Sequence, residues 1–260
     1  DSIKNDKRNI PFRVRRVKRI MIKYIPIYAH RGASEGTLEN TFEAFEKARE
    51  SKVDGIELDV QLSEDGICFV FHDLSLKRLT GVRKLINECK SDEIKNYRIG
   101  RRFFRRLKST SIPTLEEVLD WAIKYNMPLN IELKESLLDD VMPFIQTLKR
   151  YKLPEGSHVS SFHEQLLRIV KLYYPKMETA IIVTRKFEWD RLHDMSYITA
   201  VHAHKRYYKQ QFLQACEAAQ KPMRFYSIDG TESFLLSPHD IVVGWITDYP
   251  NRIINIQKKT

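Results

Sequence analysis

From Tyr24 onward the chain alternates between short apolar or β-branched runs and segments of helical period, and this alternation constrains the fold most strongly. Repeated strand–helix units favour a parallel sheet, and 260 residues suit a TIM barrel, (β/α)8. The strand candidates are Ile25–Ala29, Ile56–Val60, Ile67–His72, Leu129–Leu133, His158–Phe162, Thr179–Thr184, Ile198–Ala203, Arg224–Ile228 and Ile241–Ile246. The helical segments are Asn40–Ser51, Thr114–Tyr125, Leu137–Tyr151, Glu164–Tyr173, Glu188–Met195 and Lys209–Ala219.

The second and third strand candidates are too close together for a parallel connection. Only Gln61–Gly66 separates them, and Ser-Glu-Asp-Gly at its end is typical of a tight turn. A parallel crossover needs about a dozen residues or more, so we expect an antiparallel hairpin. This explains nine strand candidates for eight barrel positions. Residues 74–111 lack a clear period, and we interpret them as a small excursion between the third strand and the following helix, within one barrel domain of residues 24–260.

Composition limits the class of protein. Hydrophobic residues make up 42% of the chain and charged residues 30%, as in ordinary globular domains, and no apolar run reaches the roughly 18 residues of a membrane span. The three cysteines, Cys68, Cys89 and Cys216, have no metal-ligand spacing, which favours buried thiols in a reducing compartment. We therefore expect a location in the cytoplasm or at a membrane surface. The chain starts at Asp1 without an apolar leader, so a signal peptide is either absent or already removed.

The net charge of +10 is concentrated at the beginning of the chain. Residues 1–23 contain nine Lys or Arg and two Asp, which accounts for +7 of the total. Two interpretations of this basic arm stay open: a solvated tail, or a segment attracted to anionic lipid headgroups. A second basic run, Arg101–Arg106, alternates with aromatic residues within the excursion. No nucleic-acid-binding module accompanies either run, so we expect no nucleic-acid partner.

Polar side chains recur where the predicted strands end. Glu57 and Asp59 alternate with an apolar residue in "GIELDV", so both lie on one face of a strand. The same spacing recurs in "NIELKE". In a TIM barrel the carboxyl ends of the strands meet at one mouth, where catalysis takes place. The residues expected to converge there are His30, Arg31, Glu57, Asp59, His72, Glu132 and Lys134.

This combination indicates metal-assisted phosphoryl transfer. Three neighbouring carboxylates repel one another unless a cation lies between them, and oxygen ligands alone favour Mg²⁺ or Ca²⁺. Arg31 and Lys134 beside such an ion form a site suited to phosphate. His30 and His72 can serve as general base and general acid near neutral pH.

An ordered series of motifs resembles the glycerophosphodiester phosphodiesterases. The motifs, spread from about Tyr24 to Arg252, are "AHRG", "ENT", "ELDV", "FHD", "PTLEEVL", "IELK", "SSF" and "ITDYP". The resemblance implies a TIM-barrel hydrolase that uses one divalent cation and releases an alcohol from a small glycerophosphodiester. It also implies roles: Glu57, Asp59 and Glu132 as metal ligands, His30 and His72 as the acid–base pair, Arg31 and Lys134 as phosphate contacts.

Four further positions follow from the same resemblance. Glu39 and Asn40 match the family's "EN" pair, which supports the loop of the site, and we count them with the substrate-binding residues. In "RFYSID", Tyr226 stands where the family usually has Trp, and Asp229 stands where it usually has Asn. Tyr226 is therefore a candidate substrate contact, on a wall that departs from the family pattern.

The expected reaction is hydrolysis of a glycerophosphodiester to glycerol 3-phosphate and an alcohol, through a cyclic phosphate. One alternative is phospholipase D-like cleavage of lysophospholipids by the same site. A second is a barrel without catalysis that binds lipid or nucleic acid, which the sequence disfavours because none of the catalytic or metal-site residues is missing. His202 and His204 in "VHAH" also suggest a second metal pair, although no third ligand is evident nearby.

Overall fold

A closed barrel of eight parallel strands forms the centre of the computed structural model, which describes residues 23–33, 35–100 and 109–259. The barrel confirms the predicted fold class. The basic arm up to residue 22 and the run Arg101–Arg106 lie outside the described residues. The strands are β1 Ile27–His30, β2 Gly55–Leu62, β3 Cys68–Val70, β4 Arg98–Ile99, β5 Thr110–Ser111, β6 Leu129–Leu133, β7 His158–Ser161, β8 Thr179–Ile182, β9 Ala200–His204, β10 Met223–Ile228 and β11 Val242–Thr247.

The barrel strands follow each other in the order β1, β2, β6, β7, β8, β9, β10 and β11, and β11 pairs with β1 to close the ring. The helices surround it. They are α1 Phe42–Glu50, α2 Lys77–Thr80, α3 Ser91–Asn96, α4 Leu115–Lys124, α5 Met142–Lys149, α6 Glu164–Tyr173, α7 Gln210–Ala218 and α8 Pro250–Lys259.

β3 is the one predicted strand beyond the eight of the barrel, and it pairs antiparallel with the end of β2. Val60 lies opposite Val70, and Leu62 opposite Cys68, so the hairpin interpretation is confirmed. In the turn Gly66 has φ of +79°, a backbone conformation that glycine adopts at little cost. The hairpin extends β2 beyond the barrel and directs the chain above the mouth.

The excursion has its own small core, although its sequence lacks a clear period. It contains α2, α3 and the antiparallel pair β4–β5. Buried apolar residues of the excursion pack together with those of β3 and its flanks, separately from the main core. These residues are Phe69, Phe71, Leu76, Leu79, Ile86, Cys89, Ile94, Ile99 and Ile112. The excursion is thereby fixed over one side of the mouth.

Two predicted helices differ from the structure. The segment Glu188–Met195 contains a 3₁₀ helix over Trp189–Asp194, with bonds of the i→i+3 type such as Met195 N–H to Leu192 O. The segment Leu137–Tyr151 divides into a 3₁₀ turn and α5, because Pro143 fits the first turn of a helix but not its interior. α4 begins with a capping box formed by Thr114 and Glu117.

The strand register decides which side chains fill the barrel. His30 lies opposite Glu57, and Asp59 lies opposite Glu132, so these side chains project inward at the carboxyl ends of the strands. Residues on the outer face of β2, such as Leu58, are fully buried in the apolar core beneath the helices. All three cysteines are free and buried, and none of the described helices has the length and hydropathy of a membrane span.

Candidate active site

Three carboxylates form an oxygen-rich group at the mouth of the barrel. Glu57 and Asp59 come from β2 and Glu132 from the adjacent β6, and one oxygen of each lies within 4.8 Å of the others. Glu57 Oε1 and Asp59 Oδ1 are buried without a hydrogen-bond partner. Burial and the neighbouring charge of Asp59 raise the pKa of both Glu57 and Glu132. An oxygen-only donor set with bare buried oxygens fits a hard divalent cation.

Asn40 holds Asp59 in place through two hydrogen bonds. Its side-chain amide donates to Asp59 Oδ2 at 2.9 Å, and its amide oxygen accepts from Asp59 N–H at 3.3 Å. Asn40 is 2% exposed and has φ of +55°, a region that asparagine tolerates better than most residues. Thr41 follows as the cap of α1. The predicted "ENT" motif therefore joins a metal-site carboxylate to the start of a helix.

Arg31 is held by carboxylates on three sides. Its backbone N–H donates to Glu57 Oε2 at 2.9 Å, its Nε lies 3.2 Å from Asp59 Oδ2, and its Nη1 donates to Glu39 Oε1 at 3.0 Å. Burial opposes ionisation of Asp59, but the charges of Arg31 and Lys134 outweigh it and hold the pKa of that carboxyl below its usual range. Arg31 lines the cavity, whereas Glu39 and Asn40 lie behind it and position other residues.

Lys134 supplies the second cation of the mouth. Its ammonium donates to Glu132 Oε1 at 2.8 Å and lies 3.7 Å from Asp59 Oδ1. It also lies 5.9 Å from the ring centre of Phe162. Arg31 and Lys134 therefore lie beside different oxygens of Asp59, an arrangement that suits an anion site next to a cation.

His30 forms a pair with Asp248, which follows β11. Its Nδ1 lies 2.7 Å from Asp248 Oδ1, and its Nε2 lies 3.9 Å from Glu57 Oε2. Burial alone would lower the pKa of His30, but the carboxylate of Glu57 and the hydrogen bond to Asp248 raise it to about 9. The Asp248 contact leaves Nε2 as the nitrogen nearer to the carboxylate group.

His72 forms the matching pair with its neighbour in sequence. Its Nδ1 lies 2.7 Å from Asp73 Oδ1, and its backbone carbonyl accepts a hydrogen bond from Gln61 at 3.0 Å. Gln61 in turn accepts from the hydroxyl of Ser136, just after Lys134. The two histidines thus share one arrangement, with a carboxylate at Nδ1.

Arg78 in α2 connects the excursion to both halves of this arrangement. Its Nε donates to Asp73 Oδ2 at 2.5 Å, and its Nη1 and Nη2 donate to the two oxygens of Glu39 at 2.9 and 2.6 Å. Asp73 holds His72, and Glu39 holds Arg31. One guanidinium therefore supports both a candidate acid–base residue and a candidate phosphate contact.

The cavity between these groups has a volume of about 240 Å³ and two chemically different sides. The charged side carries the histidines, the cations and the carboxylates, and the other side is mainly apolar. Phe162 is 43% exposed there, and the ring of Tyr226 lies edge-on to His204 with centroids 5.4 Å apart. The lining residues are His30, Arg31, Glu57, His72, Asn130, Glu132, Lys134, Phe162, Ile182, His202, Tyr226, Ser227 and Ile246.

The suggested second metal pair, His202 and His204, belongs to no group with metal-site geometry among the described residues. His202 lies at the floor of the cavity, fully buried and edge-on to His158 at 5.3 Å between ring centroids. His204 accepts a hydrogen bond at Nδ1 from the backbone N–H of Arg206. Within the part of the chain that the structure describes, the group with metal-site geometry is Glu57, Asp59 and Glu132. His202 and His204 belong to the wall of the barrel.

The family model of the glycerophosphoryl diester phosphodiesterases matches residues 30–252, which contain every candidate site residue. The chain belongs to this family. It is therefore a phosphoric diester hydrolase that acts on glycerophosphodiesters.

Two bacterial glycerophosphodiester phosphodiesterases are similar to this chain over almost their whole length. A glycerophosphodiester phosphodiesterase of Bacillus altitudinis is 31% identical over 249 residues, 90% of this chain and 98% of the relative. One of Caldanaerobacter subterraneus is 30% identical over 240 residues, with the same coverage. The solved structure of an Oleispira antarctica phosphodiesterase, in complex with the product sn-glycerol-3-phosphate, is 27% identical with a TM-score of 0.77, and the match covers 90% of this chain and 96% of that one.

The sequence did not identify three groups of the phosphodiesterase site. Asp73 and Asp248 lie inside the quoted motifs "FHD" and "ITDYP", but a motif alone does not show which atom an aspartate contacts. Arg78 lies in the excursion, where no period was visible. The sequence did contain one indication of these supporting groups, the aspartate next to His72, since a histidine with a paired carboxylate is a common acid–base unit.

Proposed function

We propose that the chain hydrolyses glycerophosphodiesters to glycerol 3-phosphate and an alcohol with the help of one Mg²⁺ or Ca²⁺ ion. The observation that carries this proposal is the buried group of Glu57, Asp59 and Glu132, with two oxygens lacking hydrogen bonds, beside a cavity that contains Arg31 and Lys134. These carboxylates would hold the ion. When bound, it would offset negative charge on the phosphate.

The contacts of Arg31 and Lys134 support a role for both cations as phosphate contacts. Arg31 is oriented by Glu39 and Asp59, and Lys134 by Glu132, so neither must be ordered when substrate arrives. Both would donate to non-bridging phosphate oxygens and hold the phosphorus between the histidines.

The histidines carry the proton transfers of the proposal. One would accept the proton of the glycerol 2-hydroxyl while that oxygen attacks phosphorus, and the other would protonate the departing alcohol oxygen. The product of this step is a cyclic phosphate and a free alcohol. Water would then open the ring, with the same two groups in exchanged roles, to give glycerol 3-phosphate. In this scheme Asp248 and Asp73 keep both rings oriented through Nδ1.

Phospholipase D-like cleavage of lysophospholipids is the second candidate. The observation in its favour is the apolar side of the cavity, where Phe162, Ile182, Tyr226 and Ile246 offer a surface for an acyl chain. The same groups would perform the same chemistry on the larger substrate. Choline release from glycerophosphocholine and from lysophosphatidylcholine, measured side by side, distinguishes the two activities.

The metal requirement provides the test. We expect EDTA to abolish choline release from glycerophosphocholine, and Mg²⁺ or Ca²⁺ to restore it. Glu57→Gln removes one ligand charge and should raise the metal concentration needed for half-maximal activity at least ~10-fold. Glu155→Gln, an exposed position at the other end of the barrel, is the matched control and should behave as the wild type. Full activity of metal-stripped protein in excess chelator would refute the metal part of the proposal.

A further inference from the structure

The loops that follow β8 and β9 form a surface that the proposed chemistry does not use. We define the β8–β9 rim as residues 184–189 and 205–212. Both segments directly follow the carboxyl ends of their strands, and the second includes the first turn of α7. The rim therefore lies on the same face of the barrel as the mouth.

Four aromatic rings form a cluster on the rim. Trp189 lies 4.5 Å from Phe212, 5.4 Å from Phe187 and 5.7 Å from Tyr207 between ring centroids. All four side chains are partly exposed, although Phe187, Trp189 and Tyr207 also pack against the main core on one side. Packing explains how the rings contact one another, but it does not explain why an aromatic cluster stays accessible beside the mouth.

The charges of the rim are unbalanced. Its residues include five cations and a single carboxylate, Glu188. Lys205 is paired with Asp229 and Glu232, but the other four cations, Arg185, Lys186, Arg206 and Lys209, are exposed and have no carboxylate partner among the described residues. Elsewhere at the mouth Arg31, Arg78 and Lys134 all have such partners.

The rim is continuous with the apolar side of the cavity. His204, the last residue of β9, contacts the ring of Tyr226 and leads directly into the rim. Phe162 and Ile182, from the ends of β7 and β8, line the same side of the cavity. A binding partner that contacts the rim would therefore lie opposite the apolar side of the cavity.

We propose that the β8–β9 rim docks on an anionic phospholipid bilayer and turns the mouth of the barrel toward the lipid headgroups. Partly exposed Trp, Tyr and Phe side chains suit the headgroup region, where an apolar ring body and a polar edge are both accommodated. Unpaired Lys and Arg side chains complement the negative charge of the bilayer surface. This surface belongs to the described barrel, so it is separate from the basic arm, and it goes beyond the proposed reaction.

The three tryptophans of the chain allow a direct test. Trp121 and Trp245 are 8% and 0% exposed, whereas Trp189 lies on the rim. The full chain is mixed with vesicles of phosphatidylcholine and phosphatidylserine, with or without dibrominated acyl chains that quench tryptophan in contact with lipid. We expect quenching in the wild type and in Trp121→Phe, and its loss in Trp189→Phe. Protein that sediments with the vesicles while Trp189 stays unquenched would show that another segment binds, and would overturn the proposal.

A charge reversal tests the same surface without removing a ring. Arg185→Glu/Lys186→Glu should weaken binding to these vesicles at least ~10-fold, since both changes replace attraction by repulsion. The matched control is Lys152→Glu/Lys176→Glu, which makes the same charge change at exposed positions before β7 and β8, at the opposite end of the barrel. Equal loss in both variants would contradict docking by the rim. Hydrolysis of glycerophosphocholine in vesicle-free buffer should be unchanged in the rim variant, so failure of docking and failure of the proposed reaction are separable.

Discussion

At His30 and His72 the same local arrangement recurs although the residues come from different strand ends. Each Nδ1 lies 2.7 Å from an aspartate oxygen, of Asp248 and Asp73 respectively. A carboxylate at Nδ1 fixes the orientation of the ring and favours the tautomer with a proton at that nitrogen. In the proposed reaction, the other nitrogen of each ring would exchange the proton with substrate.

Asp248→Asn tests this arrangement at His30. The amide keeps the shape of the side chain but loses the charge that stabilises a protonated imidazole, so we expect kcat for glycerophosphocholine to fall at least ~10-fold with a smaller change in KM. The control is Asp229→Asn, which makes the same change in a partly exposed ion pair with Lys205. Unchanged kcat in folded Asp248→Asn, judged by circular dichroism, would remove Asp248 from the positioning of His30.

At the same scale the sequence predicted the group of three carboxylates at the mouth but not the residues that support the site. Glu57, Asp59 and Glu132 were predictable because alternation along a strand and the common direction of barrel strands bring their carboxylates to one place. Asp248 lies 218 residues from His30, and only the closure of β11 on β1 makes them neighbours. A pairing of that kind depends on three-dimensional register, which no local pattern contains.

Among the elements, the excursion contributes most that its sequence did not indicate. Its short α2 carries Arg78, which bonds both Asp73 and Glu39. The separate apolar cluster beneath α2 includes Leu76 and Leu79, so the helix is fixed on the hairpin by burial. The position of Arg78 is therefore determined by packing within the excursion.

Arg78→Gln should lower kcat/KM for glycerophosphocholine at least ~10-fold, because His72 and Arg31 both lose an indirect support. Arg78→Lys should recover only part of this loss, since one ammonium cannot reproduce a fork that serves two carboxylates. Arg83→Gln, an exposed arginine of the following loop, is the matched control and should keep wild-type kinetics. If lysine restored activity fully, a point charge would suffice and the bridging role of the guanidinium would be wrong.

The difference between local sequence patterns and long-range contacts also explains which elements were predicted correctly. The barrel strands and the β2–β3 hairpin follow from apolar period, turn residues and connection length, all of which are local. The 3₁₀ helix at Trp189–Asp194 was predicted as an ordinary helix, because three-and-four apolar spacing does not separate the two types over a single short segment. The core of the excursion was missed because its apolar residues are spread over several short elements without a common period.

At the scale of the whole molecule, several buried polar side chains lie inside the barrel, and they should affect how the stability of the fold depends on pH. At the floor of the cavity, the fully buried His202 lies edge to face with His158, and both have a buried Nε2 without a hydrogen-bond partner. Arg224 fills the neighbouring position and is paired with Glu178. A Cβ at position 244 would lie 2.8 Å from Arg224 Cγ, so Gly244 leaves the space that this side chain occupies.

These buried imidazoles should make the fold sensitive to mild acid. Burial first, and nearby positive charge second, lowers the pKa of His158 and His202 well below the usual value, so the native state keeps them neutral while the unfolded state protonates below about pH 6.5. The unfolded state then binds more protons at these two positions, so the contribution of His158 and His202 to the free energy of unfolding should fall as the pH drops, by about 1.4 kcal/mol per histidine between about pH 7.5 and 5.5. Urea unfolding at both pH values measures this. His158→Asn and His202→Asn should each remove about half of the decrease in unfolding free energy that we attribute to the two histidines, whatever their effect on stability at pH 7.5. The control is His193→Asn, at an exposed position, which should leave this decrease unchanged. An equal loss in all four proteins would place the acid sensitivity outside the barrel interior.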